Sequence, residues 1–134
     1  MSLELENDPA ELERMASAVE ELGERQDWSP EVVFKVNLVL EELVVNVMTH
    51  GSHEGLAEIE VTVTSSEDLV SIRLSDNGIA FDPLTDAPDP EVTASVEDRH
   101  IGGLGVHLVR TMMDSVSYQR ENGRNLLTMT TQRN

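Results

Sequence analysis

Hydrophobic and polar residues follow two different periods along this 134-residue chain, and the changes between them mark out its elements. Ser2 to Glu6 alternate weakly and predict a short edge strand. Leu12, Met15, Val19 and Leu22 then recur at helical spacing. Asn7-Asp8-Pro9 precedes them, with Asp8 able to cap and Pro9 suited to the first turn. The helix should stop at Gly23 or in the polar stretch behind it. Asp27-Trp28-Ser29-Pro30 is a second start signal, with Ser29 as N-cap and Glu31 in the first turn. The helix it opens should run to about His50, where Gly51 can supply a left-handed cap.

Beyond a turn at 52–56 the period changes to two. Residues 57–64, AEIEVTVT, put Ile59, Val61 and Val63 on one face, and 69–75, LVSIRLS, do the same with Val70, Ile72 and Leu74. Asp76-Asn77-Gly78 ends the second strand. The segment 82–99 is acidic, contains proline and has little periodicity beyond a short helical turn at 92–96. A loop of that length in a compact domain is usually functional. His100 to Gly105 leads into a helix over 106–113 with Leu108, Val109 and Met112 apolar. Strands over 115–119 and 125–131 follow, joined by Glu121-Asn122-Gly123-Arg124, an Asn-Gly hairpin signal. There is no internal repeat and no domain boundary, so one domain over 1–134 is expected. The order predicts an α+β class, a two-layer sandwich whose mixed, mostly antiparallel sheet carries helices on one face.

The second helix is the informative one. At about 100° per residue, Glu42, Asn46 and His50 share a face, and Val36, Leu40, Leu43, Val44 and Val47 cover the opposite arc as core. Phe34, Leu38 and Val45 flank the polar face on its other side, and Lys35 lies on the Glu42 face two turns earlier. A carboxylate and an amide on a largely apolar helix are costly to bury without partners. Taken alone, the face fits a solvated stripe at least as well as a site.

Composition narrows the choice. The net charge of −17, from 26 acids and 9 bases, repels phosphate backbones and excludes direct nucleic-acid binding, while suiting a basic protein partner. Aromatic content of 3% leaves no base-stacking platform. With no cysteine there is no disulfide and no thiolate metal site. No apolar run is long enough for a membrane span, and the acidic N-terminus is unlike a signal peptide, so a cytoplasmic protein without a membrane partner is expected.

Three clusters can carry chemistry. Glu42 with Asn46, one helical turn apart, can hold hydrated Mg²⁺ or pair a general base with a ligand. Asp76 at a strand end can accept from an exocyclic amine, and Gly78 lets backbone approach a flat ligand; a plain turn is the alternative. Gly102-Gly103-Leu104-Gly105 opening a helix offers free N–H groups to phosphates, although it is no Walker loop and a flexible hinge explains it as well. His50, His53 and Glu54 match no strong zinc pattern, and His107 reads as a partly buried helix residue.

The order of these clusters resembles the GHKL nucleotide-binding (Bergerat-type, histidine-kinase-like ATPase) fold, whose three boxes appear as EELVVNVMTHG, DNGIAFDP and GGLGVHLV. Within it the chain looks most like the anti-sigma-factor serine kinases of the RsbW/SpoIIAB kind, and RHIGGLGVHLVRTMMDSVSY followed by ENGRNLLTM extends the likeness from about Asp8 to the end. The resemblance implies an ATP-binding anti-sigma factor and protein-serine kinase with ATP and Mg²⁺ as cofactors. Glu42 would be the base that activates the substrate serine, Asn46 the Mg²⁺ ligand, and Asp76 the acceptor for the adenine amine, with Gly78 beside the base. Gly102, Gly103, Leu104 and Gly105 would lie along the phosphates, with Arg99 as a phosphate contact at the end of an ATP lid at about 82–101. Lys35, from its place on the Glu42 face, could pair with that carboxylate or a phosphate, and the sequence leaves its role and that of His50 open. Ala80 stands where the second box often has a glycine. The implied partners are a sigma factor and a small anti-sigma antagonist of STAS type, with the chain a homodimer. Two rivals stand beside this: a nucleotide-dependent partner-switching module without kinase turnover, and the ATP-binding half of a histidine kinase, disfavoured because no phospho-acceptor helix precedes Glu42.

Overall fold

Alternating side chains give a sheet one apolar face that must be covered, and the two amphipathic helices cover it. A computed structural model of the chain describes residues 1–50, 58–78 and 109–133. Its elements are β1 (Ser2–Leu5), α1 (Glu11–Arg25), α2 (Pro30–His50), β2 (Ile59–Ser65), β3 (Leu69–Asp76), β4 (Ser115–Glu121) and β5 (Arg124–Gln132). The strands form one sheet in the order β1-β2-β3-β5-β4, with antiparallel pairing throughout. This is the expected α+β sandwich. Strand β5 inserts beside β3, so β4 becomes the sheet edge although it comes first in sequence.

The inner face carries Ile59, Val61 and Val63 of β2, Val70, Ile72 and Leu74 of β3, and Leu127 and Met129 of β5, all buried. Met15, Val19 and Leu22 of α1 and Val36, Leu40, Leu43 and Val44 of α2 pack into the same core. Val32 and Val39 join them, whereas Val47 is only partly buried. Phe34, at 63% exposure, and Val45 face water on the far side of α2.

Local signals worked with small displacements. Ser29 caps α2, its Oγ accepting from Val32 N at 3.3 Å. Asp8 acts two residues before the N-cap Ala10: its Oδ1 accepts from Ala10 N at 2.9 Å, shaping the turn into the helix. Gly23 does not end α1. It lies inside the helix, where a Cβ would come within 2.6 Å of Val33 Cγ2 and 3.3 Å of the Trp28 ring, so its bare backbone permits the close α1–α2 approach. The end is a Schellman turn: Asp27 is left-handed (φ 56°) and Trp28 N donates to Gly23 O at 2.9 Å. Asn122 (φ 52°) and Gly123 (φ 75°) form the two-residue β4–β5 turn, where backbone conformation rather than space favours glycine.

The turn at 52–56, the Gly51 cap, the loop at 82–99, the glycine run and most of the third helix lie outside the described residues; residues 109–112 are helical. Among the described residues no helix is long and apolar enough to cross a membrane.

Candidate functional site

Strand alternation carries a charge into the core row. Val70, Ile72 and Leu74 point inward, and two residues further Asp76 does too, at 3% exposure. Its Oδ1 accepts from Gly78 N at 2.9 Å and from Asn125 Nδ2 at 3.0 Å. Both bonds fall on one oxygen, so Oδ2 keeps its acceptor capacity. Asn125 stands opposite Asp76 in the β3–β5 register and is itself 5% exposed. Its Oδ1 accepts from Tyr118 Oη at 2.5 Å and from Arg120 Nη1 at 3.2 Å. Arg120 Nη1 also donates to Gly78 O at 2.9 Å, tying the β4–β5 hairpin to the turn behind β3. On the neighbouring strand Asn77 and Glu58 exchange hydrogen bonds, and Arg124 donates to Glu58 at 2.7 Å and to Ser75 at 2.9 Å.

Helix α2 supplies the other polar groups. Asn46 is 6% exposed, and its Oδ1 is buried without a hydrogen-bond partner. An orphaned buried acceptor costs about 1–3 kcal/mol. A neutral amide oxygen is a hard donor that suits Mg²⁺, which takes one or two protein ligands beside phosphates and water. The residue present therefore fits that ion. One turn earlier Glu42 is half-buried, and among the described residues no hydrogen bond or ion pair reaches its carboxylate. The described residues contain no cluster of three or more metal-binding side chains.

The expectation that Lys35 pairs with Glu42 or a phosphate is corrected. Lys35 turns to the sheet, its Nζ donating to Thr131 Oγ1 at 3.2 Å. Thr131 pairs with Val70, at the other end of β3 from Asp76. Six residue steps along the strand separate those ends, about 20 Å. The Trp28 indole donates to Ser65 Oγ at 3.0 Å, and Ser65 also pairs with Val70. Two anchors thus fix the start of α2 over the Val70 end. The helix advances about 16 Å from Lys35 to Asn46, so Asn46 lies well away from these two anchors.

Arg99, Gly102, Gly103, Leu104 and Gly105 lie outside the described residues, as does the side chain of His50. The sequence reading gave no role to Asn125, Tyr118 or Arg120. The Asn-Gly turn does place Arg120 opposite Asn125. What it does not reveal is that β5 lies against β3, and only that pairing brings the amide to Asp76.

A buried amide oxygen without a partner, a carboxylate that none of the described residues meets and a buried acceptor at a strand end, on this topology, are features that a nucleotide-binding ATPase domain would present. The family model of the histidine kinase-like ATPase domain matches residues 5–131, and the chain belongs to that family. Within it the chain groups with the RsbW-like serine-protein kinases. It is 36% identical over 113 residues to the serine/threonine-protein kinase BtrW of Bordetella bronchiseptica, covering 84% of this chain and 79% of BtrW. It is 32% identical over 108 residues to the serine-protein kinase RsbW of Listeria monocytogenes, covering 76% of this chain and 68% of RsbW. The fold is also similar to a chain in the crystal structure of the SiaB–SiaC complex from Pseudomonas aeruginosa, with a TM-score of 0.59 at 15% identity over 98% of this chain and 89% of that one.

Proposed function

We propose that this chain is an ATP-dependent protein-serine kinase that phosphorylates a small anti-sigma antagonist and, as a cytoplasmic homodimer, sequesters a sigma factor. The observation that carries the reading is the pair on α2: a half-buried Glu42 with no partner among the described residues, one turn from a buried Asn46 oxygen without a hydrogen bond. Neither group serves the core, and both match what phosphoryl transfer needs, positioning and charge neutralisation.

In this reading the whole chain is one catalytic domain. Asp76 accepts from the adenine amine and Gly78 lies against the base. Asn46 Oδ1 holds Mg²⁺, which when bound neutralises phosphate charge. Glu42 accepts the proton of the substrate serine as its oxygen bonds to the γ-phosphorus and the bond to ADP breaks. Gly102, Gly103, Leu104, Gly105 and Arg99 are assigned to the phosphates on the family resemblance, with 82–101 as the lid. The family membership and the RsbW-like relatives support this reading; BtrW and RsbW carry kinase names, and the partner classes come from the resemblance.

The test is transfer of labelled γ-phosphate from Mg²⁺-ATP to the candidate antagonist. Glu42→Ala should lower the rate about 10²–10⁴-fold, the usual contribution of a general base. ATP binding should change little. Nucleotide-responsive partner binding with no transfer by the parent protein would replace the kinase with a switching module.

A further inference from the structure

We propose that Asn125 is a specificity-determining positioning residue that makes Asp76 select a 6-amino purine against a 6-oxo purine. This rests on the reading of Asp76 as the group that meets the base. The orientation of the Asn125 amide is set by its surroundings. Arg120 has only donors to offer, so the atom it meets at 3.2 Å is the amide oxygen. The Tyr118 hydroxyl meets the same atom at 2.5 Å. The amide nitrogen is then obliged to face Asp76, and it donates to Oδ1 at 3.0 Å.

That bond has two consequences. Together with Gly78 N at 2.9 Å it fixes the carboxylate plane. It also places two donors on Oδ1 of a carboxylate that is 3% exposed, leaving Oδ2 as the oxygen a base would meet. An acceptor-only Oδ2 matches an exocyclic amine and opposes the carbonyl of hypoxanthine. The hairpin is thus part of the base site without touching the base. Arg120 closes the loop by also holding Gly78 O at 2.9 Å.

The experiment is calorimetric titration of the full chain with ADP and with IDP, each with Mg²⁺. The parent protein should prefer ADP on the order of 10²-fold, since a site left with opposed polar groups rejects strongly. Asn125→Leu keeps most of the volume and removes the donor, and the ADP/IDP ratio should fall below about fivefold. Loss of packing alone would weaken both ligands and leave the ratio intact. A folded Asn125→Leu with the parent's ratio overturns the proposal. Tyr118→Phe and Arg120→Met together leave Asn125 in place but remove the two side-chain donors that orient its amide oxygen. The ratio should drop in this variant also, and an unchanged ratio there overturns the proposal even where Asn125→Leu does not fold. A parent protein without ADP preference, or Asp76→Asn with unchanged ADP affinity, overturns the base-site reading and the proposal with it.

Discussion

Lys35 and Asn46 lie eleven residues apart on α2, three turns, so they project within about 20° of one another. Their fates differ. Lys35 is satisfied by Thr131 at the end of the sheet where Trp28 also binds Ser65. Asn46 is buried with its oxygen unpaired, about 16 Å further along the helix. One end of the helix is closed by polar groups that answer each other. The other keeps polar groups with unused capacity at a cost in stability. That asymmetry distinguishes the two ends of one helix.

The sharpest way to break the contrast is Asn46→Leu. Removing the orphaned oxygen should stabilise the nucleotide-free protein by about 1 kcal/mol, roughly 3 °C in a domain of this size. It should also lower Mg²⁺-dependent nucleotide affinity by at least about 10²-fold, more than loss of a supporting residue costs a metal site. Thermal melts with and without Mg²⁺-ADP read both effects. A variant that melts lower in the absence of nucleotide would show that the oxygen is paired after all.

The opposite sign is expected from Lys35→Met. Methionine keeps the packed stem but leaves the buried Thr131 hydroxyl without this partner, costing about 1 kcal/mol. ADP affinity should stay within about twofold, because the change is roughly 16 Å from Asn46 along the helix. At that distance the two changes should add, so the double variant should melt close to the parent protein. A Lys35→Met protein with weakened nucleotide binding would restore Lys35 to the site.

These cases show what the sequence makes legible. Helical spacing put Glu42 and Asn46 on one face, and strand alternation put Val70, Ile72 and Leu74 inward with Asp76 at the strand end, because both follow from backbone periodicity. Lys35 was misread for a related reason. Its face is as the wheel gives it, but a long flexible side chain bonds whatever lies under its own turn, and that depends on which strand the helix crosses. Asn125 was missed because its role depends on β5 passing over β4 to pair with β3, a non-local choice that no local period encodes. Gly23 misled because glycine both ends helices and admits close packing, and the deciding neighbour, Val33, comes from another element.

The smallest effect extends the comparison to water. Glu11 and Arg14 pair at 2.9 Å on the exposed side of α1, and Arg14 also donates to the Glu4 carbonyl, linking α1 to β1. The Arg14 hydrogen bond, and after it the Glu6 N–H, hold the Glu11 carboxyl below the usual glutamate range. A depressed folded value means the stabilisation is present above the unfolded glutamate value and is lost as pH falls through the folded one. The contribution should therefore disappear only in acid and shrink with salt, as exposed pairs do. Titration of the Glu11 carboxyl by NMR should show the low value, and Arg14→Met should return it most of the way, the Glu6 amide keeping the remainder. Nucleotide affinity at the far end of α2 should not follow this titration. An ADP affinity that tracked Glu11 would mean that the surface of α1 and the Asn46 end of the core are coupled, which their separate polar networks argue against.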